Sequence, residues 1–187
     1  MRSGPFPFRI LLVDDDPELA GLYAELLAAR GYDVHVAHGG FEALADLRQS
    51  LPDVVMSDLE MRGMSGMELL AVLRQRFPTL PLIAISGGDG LEMEVLEADA
   101  ALRRQSDGEQ QIFEAIAHLA RHGVRQRSVH PAARPWVPRW ASRFTCSECL
   151  RSFRLSCNGD ADAPGPHTCV CVYCGTPHNY VVGDEAA

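Results

Sequence analysis

The chain has 187 residues, of which 47% are hydrophobic and 22% are charged, a composition typical of a globular protein with one ordinary domain and a small one. No apolar run approaches the ~18 residues of a membrane-spanning helix, and the N-terminal residues show no secretory signal. We therefore expect a cytoplasmic protein with no membrane partner. The net charge of −8 is uneven: residues 1–121 carry 10 Arg and 20 acidic residues, whereas residues 122–187 carry 7 Arg and 5 acidic residues.

Residues 1–121 alternate between short apolar runs and amphipathic segments, and we interpret them as one domain. The apolar runs predict strands at residues 8–13, 33–37, 54–58, 82–86 and 100–103. The amphipathic segments predict helices at residues 17–30, 40–49, 65–76 and 91–97 and a last helix capped by Asp107. This alternation predicts an α/β fold with a parallel sheet covered by helices on both faces.

Polar side chains follow three of the predicted strands. Asp14 and Asp15 follow the first strand, Asp58 ends the third and Ser86 ends the fourth. In a parallel sheet these positions share the edge where ligands bind. Three carboxylates there suit Mg²⁺, which prefers oxygen ligands, and a carboxylate beside Mg²⁺ can attack a phosphoryl group. A hydroxyl such as that of Ser86 can then donate a hydrogen bond to a phosphoryl oxygen.

At this point the sequence resembles the response-regulator receiver family. The matching segments read ILLVDDDP at 10–17, DLEMRGMSGMELL at 58–70 and IAISG at 83–87, and the resemblance covers about residues 8–121. It implies a flavodoxin-like, doubly wound sheet of five parallel strands in the order 2-1-3-4-5.

The resemblance also implies the roles of individual residues. Asp58 is expected to be the phosphoacceptor, Asp14 and Asp15 to be metal-side acids, and Ser86 to be the switch hydroxyl. The backbone carbonyl of Glu60 is expected to be a further Mg²⁺ ligand. The implied partner is a histidine kinase or a phosphotransfer protein, and the chain is not expected to be an enzyme beyond assisting its own phosphorylation.

Three residues depart from the family pattern. Arg104 stands where the family has Lys, and it is expected either to pair with Asp58 or a phosphoryl oxygen or to point to solvent. Ala101 stands where the family usually has an aromatic switch residue, so the usual coupling to the hydroxyl of Ser86 cannot operate. Arg62 replaces a usual Pro. A second interpretation is therefore a degenerate receiver that keeps the fold but acts as a non-phosphorylated docking platform.

Residues 122–143 have a different composition and are interpreted as a stiff, basic linker. They contain several Arg and Pro residues, no acidic residue, and both tryptophans, Trp136 and Trp140. Such a segment could contact phosphates and stack on bases, which keeps a nucleic-acid-binding regulator open as an alternative. It could equally dock on the acidic N-terminal domain, and we favour this.

All six cysteines lie in the C-terminal part of the chain, which predicts a metal site in residues 144–183. Two C-x2-C pairs are separated by 21 residues; they are Cys146 with Cys149 and Cys171 with Cys174. Four thiolates in two tight turns suit tetrahedral Zn²⁺. The segment resembles a zinc ribbon, a small β module with predicted strands at 153–155 and 180–182, and the metal would supply much of its folding free energy.

Other residues near the pairs leave alternatives open. Cys157 and Cys169 could pair with each other, stay as buried thiols or replace a ligand, and His167 and His178 are expected in surface loops. An iron–sulfur cluster or a redox dithiol would instead make the module an enzyme centre. We favour a two-component phosphorelay response regulator that signals to an unknown output protein through the zinc module, with homodimerisation left open.

Overall fold

The computed structural model describes residues 8–87, 97–104, 107–123, 136–138, 143–155 and 165–183. The helices are α1 (Pro17–Ala28), α2 (Gly40–Leu47), α3 (Gly66–Arg76) and α4 (Glu109–His122). The strands are β1 (Arg9–Val13), β2 (Asp33–Ala37), β3 (Val54–Asp58), β4 (Leu82–Ser86), β5 (Ala100–Arg103), β6 (Trp136–Pro138), β7 (Arg143–Thr145), β8 (Ser152–Arg154), β9 (Gly165–Val170) and β10 (Pro177–Gly183). Among the described helices, none is both long and apolar enough to span a bilayer.

Strands β1 to β5 form one parallel sheet in the order β2-β1-β3-β4-β5. The predicted flavodoxin-like order is confirmed. Every residue of β3 and β4 is buried, as expected for central strands covered by helices on both faces. The helix predicted at 91–97 lies outside the described residues, apart from Glu97.

The helices begin at residues that the sequence marks as caps. The side chain of Asp16 accepts hydrogen bonds from the backbone N–H groups of Glu18 and Leu19 at 3.0 and 3.3 Å, and Pro17 fills the first turn of α1. Ser65 and Glu68 form a reciprocal capping box at the start of α3. These caps place the first turns of α1 and α3 next to the ends of β1 and β3.

Two hydrophobic clusters cover the two faces of this sheet. One cluster joins β1, β3 and β4 to α2 and α3, and it includes Leu44, Leu70 and Leu73. The other joins the sheet to α1 and α4, and it includes Leu27 and Ile116. The sheet is therefore rigidly packed on both sides, which fixes the positions of the side chains at its carboxyl edge.

The C-terminal residues form two small sheets, which we call the four-cysteine module (residues 143–155 and 165–183). β9 and β10 pair antiparallel, β6 adds to β10 in parallel, and β7 and β8 form a separate hairpin. The strands overlap those predicted at 153–155 and 180–182. Strand β6 lies inside the segment predicted as a linker, so that segment is not a linker throughout: Trp136–Pro138 pairs with Val181, Val182 and Gly183.

Candidate functional site

Three carboxylates meet at the carboxyl ends of β1 and β3. Asp14 and Asp15 follow β1 directly, and Asp58 is the last residue of β3. One carboxylate oxygen from each lies within 4.8 Å of the others. Asp14 and Asp58 expose only 1% and 4% of their surface, and Asp15 is half-buried. Like charges this close together and shielded from water repel each other, so the ionised cluster needs a cation.

Arg104 supplies one positive charge to this cluster. Its Nη2 atom lies 3.0 Å from Asp58 Oδ2 and 3.2 Å from Asp14 Oδ2. Its backbone N–H donates to the carbonyl of Ser86 at 2.8 Å, which ties the residue to the end of β4. Within the described residues, two buried polar atoms here have no hydrogen-bond partner, namely Asp58 Oδ1 and Arg104 Nε. Arg104 therefore points into the site, and one oxygen of Asp58 stays open.

The pKa values of the two acids after β1 move in opposite directions. Burial raises the pKa of Asp14 above 3.8, against the lowering effect of a hydrogen bond from the Asp16 N–H; the charge of Asp58 raises it further. Arg62 donates to Asp15 Oδ2 from its backbone N–H at 3.1 Å and from Nε at 3.0 Å, and these bonds lower the pKa of Asp15. Burial thus disfavours the ionised form of Asp14, whereas the hydrogen bonds from Arg62 favour the ionised form of Asp15.

The backbone of Asp58 is fixed by α3 and β4. A Cβ atom at Gly66, the first residue of α3, would overlap the carbonyl oxygen of Asp58. The N–H of Leu59 donates to the Ile85 carbonyl at 2.9 Å, and the N–H of Gly66 donates to the Leu59 carbonyl at 3.0 Å. Glu60 lies exposed in the loop between β3 and α3. Asp58 is therefore held by packing that leaves no space for a side chain at position 66.

Ser86 and Ala101 lie on neighbouring strands beside the acidic cluster. Ser86 is the last residue of β4, exposes 1% of its surface, and pairs in register with Arg103 of β5. Ala101 pairs with Ala84 and packs, partly buried, against the cluster beneath α2 and α3. Because the side chain of Ala101 is a methyl group, there is no aromatic ring at position 101 whose position could change with that of the Ser86 hydroxyl.

Tyr23 of α1 is a neighbour of the site that the sequence did not single out. Burial raises the pKa of its phenol, and the charges of Arg104, Asp14 and Asp58 act on it. In the sequence Tyr23 is one of several apolar residues at helical spacing, so nothing distinguished it from a residue of the core.

Known proteins share the fold of residues 8–121. The family model for the response regulator receiver domain matches residues 10–103, which is half of the chain. The chain belongs to the response regulator receiver family. The match covers β1 to β5, and with them Asp14, Asp15, Asp58 and Ser86; Arg104 and the four-cysteine module lie outside it.

Curated relatives of this receiver are bacterial regulatory proteins. The nitrogen assimilation regulatory protein NtrX of Azorhizobium caulinodans is 34% identical over 51% of this chain and 20% of its own length. The transcriptional regulatory protein TrcR of Mycobacterium tuberculosis is 31% identical over 69% of this chain and 49% of its own length. The chain thus spans between a fifth and a half of the length of these relatives.

Solved receiver structures match the N-terminal domain. The response regulator TrrA of Thermotoga maritima, in complex with Mg²⁺–BeF, has a TM-score of 0.55 and 28% identity, covering 59% of this chain and 97% of its own. A CheY-like receiver domain protein of Methanospirillum hungatei has a TM-score of 0.56 and 27% identity, covering 60% and 93%.

The four-cysteine module brings two C-x2-C pairs together. Cys146 and Cys149 lie on the turn between β7 and β8, and Cys171 and Cys174 lie on the turn between β9 and β10. The Sγ atoms are 3.6 Å apart for Cys146 and Cys174 and 3.7 Å apart for Cys149 and Cys171. Four sulfurs at the usual Zn–S distance of about 2.3 Å are about 3.8 Å apart in a tetrahedron, so the donor set fits zinc.

The two turns share one backbone hydrogen bond and each donates an N–H to its first sulfur; we call residues 146–151 the first knuckle and residues 171–176 the second knuckle. The N–H of Cys149 donates to Cys146 Sγ at 3.5 Å, and the N–H of Tyr173 donates to Cys171 Sγ at 3.4 Å. The N–H of Leu150 donates to the Cys146 carbonyl at 2.9 Å, and Gly175 repeats this bond to Cys171 at 2.9 Å. These backbone donors favour thiolates at the centre of the module.

The four thiols are not equivalent. Burial raises the pKa of Cys146 to about 12, whereas hydrogen bonds with Thr176, whose Oγ1 lies 3.2 Å from Sγ, lower the pKa of the exposed Cys174 to about 6. Binding a soft cation requires all four as thiolates, so the cation must supply the free energy that deprotonates Cys146.

The sequence placed two histidines of this module wrongly, and His178 is the one nearer to the cysteines. It was expected in a surface loop, but it lies in β10, exposes 7% of its surface, and places Nε2 3.1 Å from Cys146 Sγ. His167, also expected in a loop, lies in β9 with its ring stacked on Tyr180. Alternation along β10 puts His178 and Tyr180 on one face, a signal that a strand extended to Pro177 would have revealed.

The surplus cysteines separate into two cases. Cys169 is a free, half-buried thiol in β9 that packs against the core of the module, outside the four-cysteine group. Cys157 lies outside the described residues. So do Trp140 and the linker residues Arg125, Arg127, Arg134 and Arg139.

Proposed function

We propose that this receiver is a response regulator of a two-component phosphorelay that accepts a phosphoryl group on Asp58. The observation that carries the proposal is the open, buried oxygen Asp58 Oδ1 beside two further carboxylates. A buried carboxylate oxygen without a partner is costly unless a ligand uses it. The phosphodonor is a histidine kinase or a phosphotransfer protein.

The residues around Asp58 have different roles in the proposed phosphoryl transfer. Asp58 attacks phosphorus through its free oxygen, a P–O bond forms as the bond to the donor breaks, and the leaving group departs with the donor. Asp14, Asp15 and the carbonyl of Glu60 would hold Mg²⁺, which supplies neutralisation of the charge on the phosphoryl oxygens. Arg104 holds Asp58 Oδ2 and offsets negative charge, and Ser86 lies one strand away, at the end of β4.

Intact-mass measurement of the full chain with acetyl phosphate and Mg²⁺ tests this function. The wild-type protein is expected to gain the mass of one phosphoryl group, and the Asp58→Asn variant is expected to gain none. Beryllofluoride binding to the wild type covers a short-lived acyl phosphate. Failure of both assays on a folded protein would refute phosphorylation at Asp58.

A second candidate function rests on the position of Arg104. One guanidinium nitrogen contacts both Asp58 and Asp14, which offsets their repulsion without a metal ion. Such a receiver would be a docking platform that needs no phosphorylation. A Mg²⁺ titration separates the two: saturable binding that Asp58→Asn weakens supports phosphotransfer, and no binding at millimolar Mg²⁺ supports the platform.

We further propose that the four-cysteine module holds a structural Zn²⁺ and makes the protein contacts that transmit the signal. The proposal is supported by the sulfur spacing and by the backbone donors to Cys146 and Cys171. Metal analysis of protein purified without added zinc is expected to give one Zn²⁺ per chain, and a Cys149→Ser, Cys171→Ser double variant is expected to give none. A coloured, iron-containing protein would overturn the zinc assignment.

A further inference from the structure

The first knuckle differs from the second at one position. Leu150 follows Cys149 with φ of +54°, and Gly175 follows Cys174 with φ of +76°. Glycine is the residue that this left-handed conformation favours, because a Cβ atom is crowded there. Within the described residues Leu150 is the one non-glycine residue with positive φ. A strained leucine in a metal-binding turn indicates that its side chain has a use.

The side chain of Leu150 packs against the receiver. Leu150 exposes 4% of its surface and belongs to the same hydrophobic cluster as Leu44, Leu47 and the inner residues of α3. No residue of the second knuckle belongs to this cluster. Val172 and Tyr173 expose 70% and 53% of their surface, and Tyr173 lines the cavity between Leu150 and Leu44 rather than filling it. Only the first knuckle of the described module therefore inserts a side chain into the receiver core.

Two arginines of the receiver bind the backbone of the same knuckle. Arg76, the last residue of α3, donates from Nε to the carbonyl of Glu148 at 3.1 Å. Arg48, which follows α2, donates from Nη1 to the carbonyl of Leu150 at 2.9 Å. Both contacts go to main-chain oxygens, so they depend on the conformation of the knuckle rather than on its side chains.

The carbonyls that accept from Arg76 and Arg48 belong to peptide groups whose N–H groups point to cysteine sulfurs. In a trans peptide the C=O and the N–H point in opposite directions. The peptide joining Glu148 to Cys149 directs its N–H to Cys146 Sγ and its C=O to Arg76. The peptide joining Leu150 to Arg151 directs its N–H to the sulfur of Cys149 and its C=O to Arg48.

We infer that the first knuckle is a docking device, anchored by Leu150, that fastens the four-cysteine module to the α2–α3 face of the receiver and couples metal binding to that contact. The coupling part rests on the proposed zinc site. When sulfurs and metal orient the two peptides, their carbonyls face Arg48 and Arg76. By thermodynamic linkage, docking on the receiver must in turn strengthen metal retention.

Zinc release from the full chain to a chromogenic chelator tests this inference. We expect Leu150→Gly to release zinc about tenfold faster than the wild type, a change equivalent to about 1.4 kcal/mol. Val172→Gly removes a comparable side chain from the exposed second knuckle and is expected to keep the wild-type rate. The comparison is sharp because glycine relieves the backbone strain at position 150, so without docking Leu150→Gly would release zinc no faster.

Hydrogen–deuterium exchange gives a second readout that does not depend on zinc. In Leu150→Gly and in Arg48→Gln, the amides of α2 and of residues 146–151 are expected to exchange faster than in Val172→Gly. Wild-type zinc release together with unchanged exchange in α2 would overturn the docking. If the wild type binds no zinc at all, the zinc proposal fails, and docking is judged by exchange alone: faster exchange in α2 of Leu150→Gly supports it, and equal exchange refutes it.

Discussion

Arg104 decides the electrostatics of the receiver site at the scale of single residues. Its guanidinium lies between two buried carboxylates. The receiver family that the sequence resembles has Lys at this position, with a shorter side chain and a compact ammonium group. The planar guanidinium contacts Asp14 and Asp58 through one nitrogen, while its Nε remains unpaired among the described residues. The contact lowers repulsion in the acidic cluster and leaves Asp58 Oδ1 open.

Replacing Arg104 by Ala is expected to destabilise the receiver by roughly 2–3 kcal/mol in Mg²⁺-free buffer at pH 7, because two buried carboxylates lose their counter-charge. Mg²⁺ is expected to recover more stability in this variant than in the wild type. Urea unfolding with and without Mg²⁺ measures both effects, and Arg104→Lys, which keeps the charge, is the control. Equal stability of Arg104→Ala and the wild type without Mg²⁺ would show that the ion pair contributes nothing.

The opposite pKa shifts of Asp14 and Asp15 predict opposite effects of removing each charge. The pKa of Asp14 is raised in the folded state, so its ionisation costs stability as pH rises from 3.8 through the raised value. Without Mg²⁺ at pH 7, Asp14→Asn is therefore expected to be more stable than the wild type, and the gain should vanish as pH falls below that window.

Asp15 provides the matched comparison. Its pKa is lowered by Arg62, so its ionised form contributes stability above pH 3.8 that is lost as pH falls through the lowered value. Asp15→Asn is expected to be less stable than the wild type at pH 7 in the same urea titration. Two variants that shift stability in the same direction at pH 7 would contradict the electrostatic account.

Some of these residues were predictable from the sequence. Asp14, Asp15 and Asp58 follow apolar runs, and the geometry of a parallel sheet brings such positions to one edge. The direction of Arg104 was left open, because a long side chain after β5 can turn to the site or to solvent. His178 was missed because β10 begins at Pro177, which reads as a loop residue.

At the scale of elements, the start of α3 matters most for Asp58. The helix can approach the end of β3 only because Gly66 has no side chain, since a Cβ atom there would overlap the Asp58 carbonyl. The capping box of Ser65 and Glu68 fixes where this helix begins. The position of the Asp58 backbone is thus set by the cap of α3 and by the absence of a Cβ atom at Gly66.

Gly66→Ala is expected to lower the free energy of unfolding by about 3 kcal/mol and to slow phosphorylation of Asp58, because α3 or the end of β3 must move. Gly21→Ala in α1 is the control, since an added Cβ there would have no described atom within 4 Å apart from its chain neighbours and its own helix backbone. It is expected to gain about 0.5–1 kcal/mol from helix propensity. Urea unfolding and acetyl-phosphate kinetics of both variants check this, and a Gly66→Ala variant like the wild type would refute the close contact.

The strong patterning of strands and helices predicted the parallel sheet, and the resemblance to the receiver family implied its strand order, which the structure has. It did not predict β6, a strand of three residues that contains Pro138 and lies among prolines and arginines. Its pairing partner, Val181–Gly183, is more than 40 residues away in the sequence. Such a short strand is determined by the neighbour that it joins rather than by its own residues.

At the scale of the whole molecule, the receiver and the four-cysteine module differ in what stabilises them. The receiver has two large hydrophobic clusters, whereas the described residues of the module form one small core, which includes Phe144, Phe153 and Tyr180. With so small a core, the module is expected to depend on the proposed Zn²⁺ for folding. The contact through Leu150 joins residues more than 100 positions apart, which no local pattern in the sequence indicates.

Chelation of the proposed zinc is therefore expected to unfold the module and leave the receiver folded. Amides of β7 to β10 should lose protection from hydrogen exchange, whereas those of β1, β3 and β4 should keep it. A dialysed sample with zinc restored is the control for reversibility. Full protection of β7 to β10 after complete metal removal would contradict a metal-dependent fold.

Locating the acyl phosphate tests most directly whether Asp58 accepts the phosphoryl group. The full chain is incubated with acetyl phosphate and Mg²⁺ and then treated with borohydride, which reduces an aspartyl phosphate to homoserine, and the position is read by peptide mass spectrometry. We predict homoserine at position 58, dependent on Mg²⁺ and absent in the Asp58→Asn variant. Homoserine at another aspartate, a reduced glutamyl phosphate, or no reduced residue in a folded wild-type protein that is shown to bind Mg²⁺, would contradict phosphorylation at Asp58.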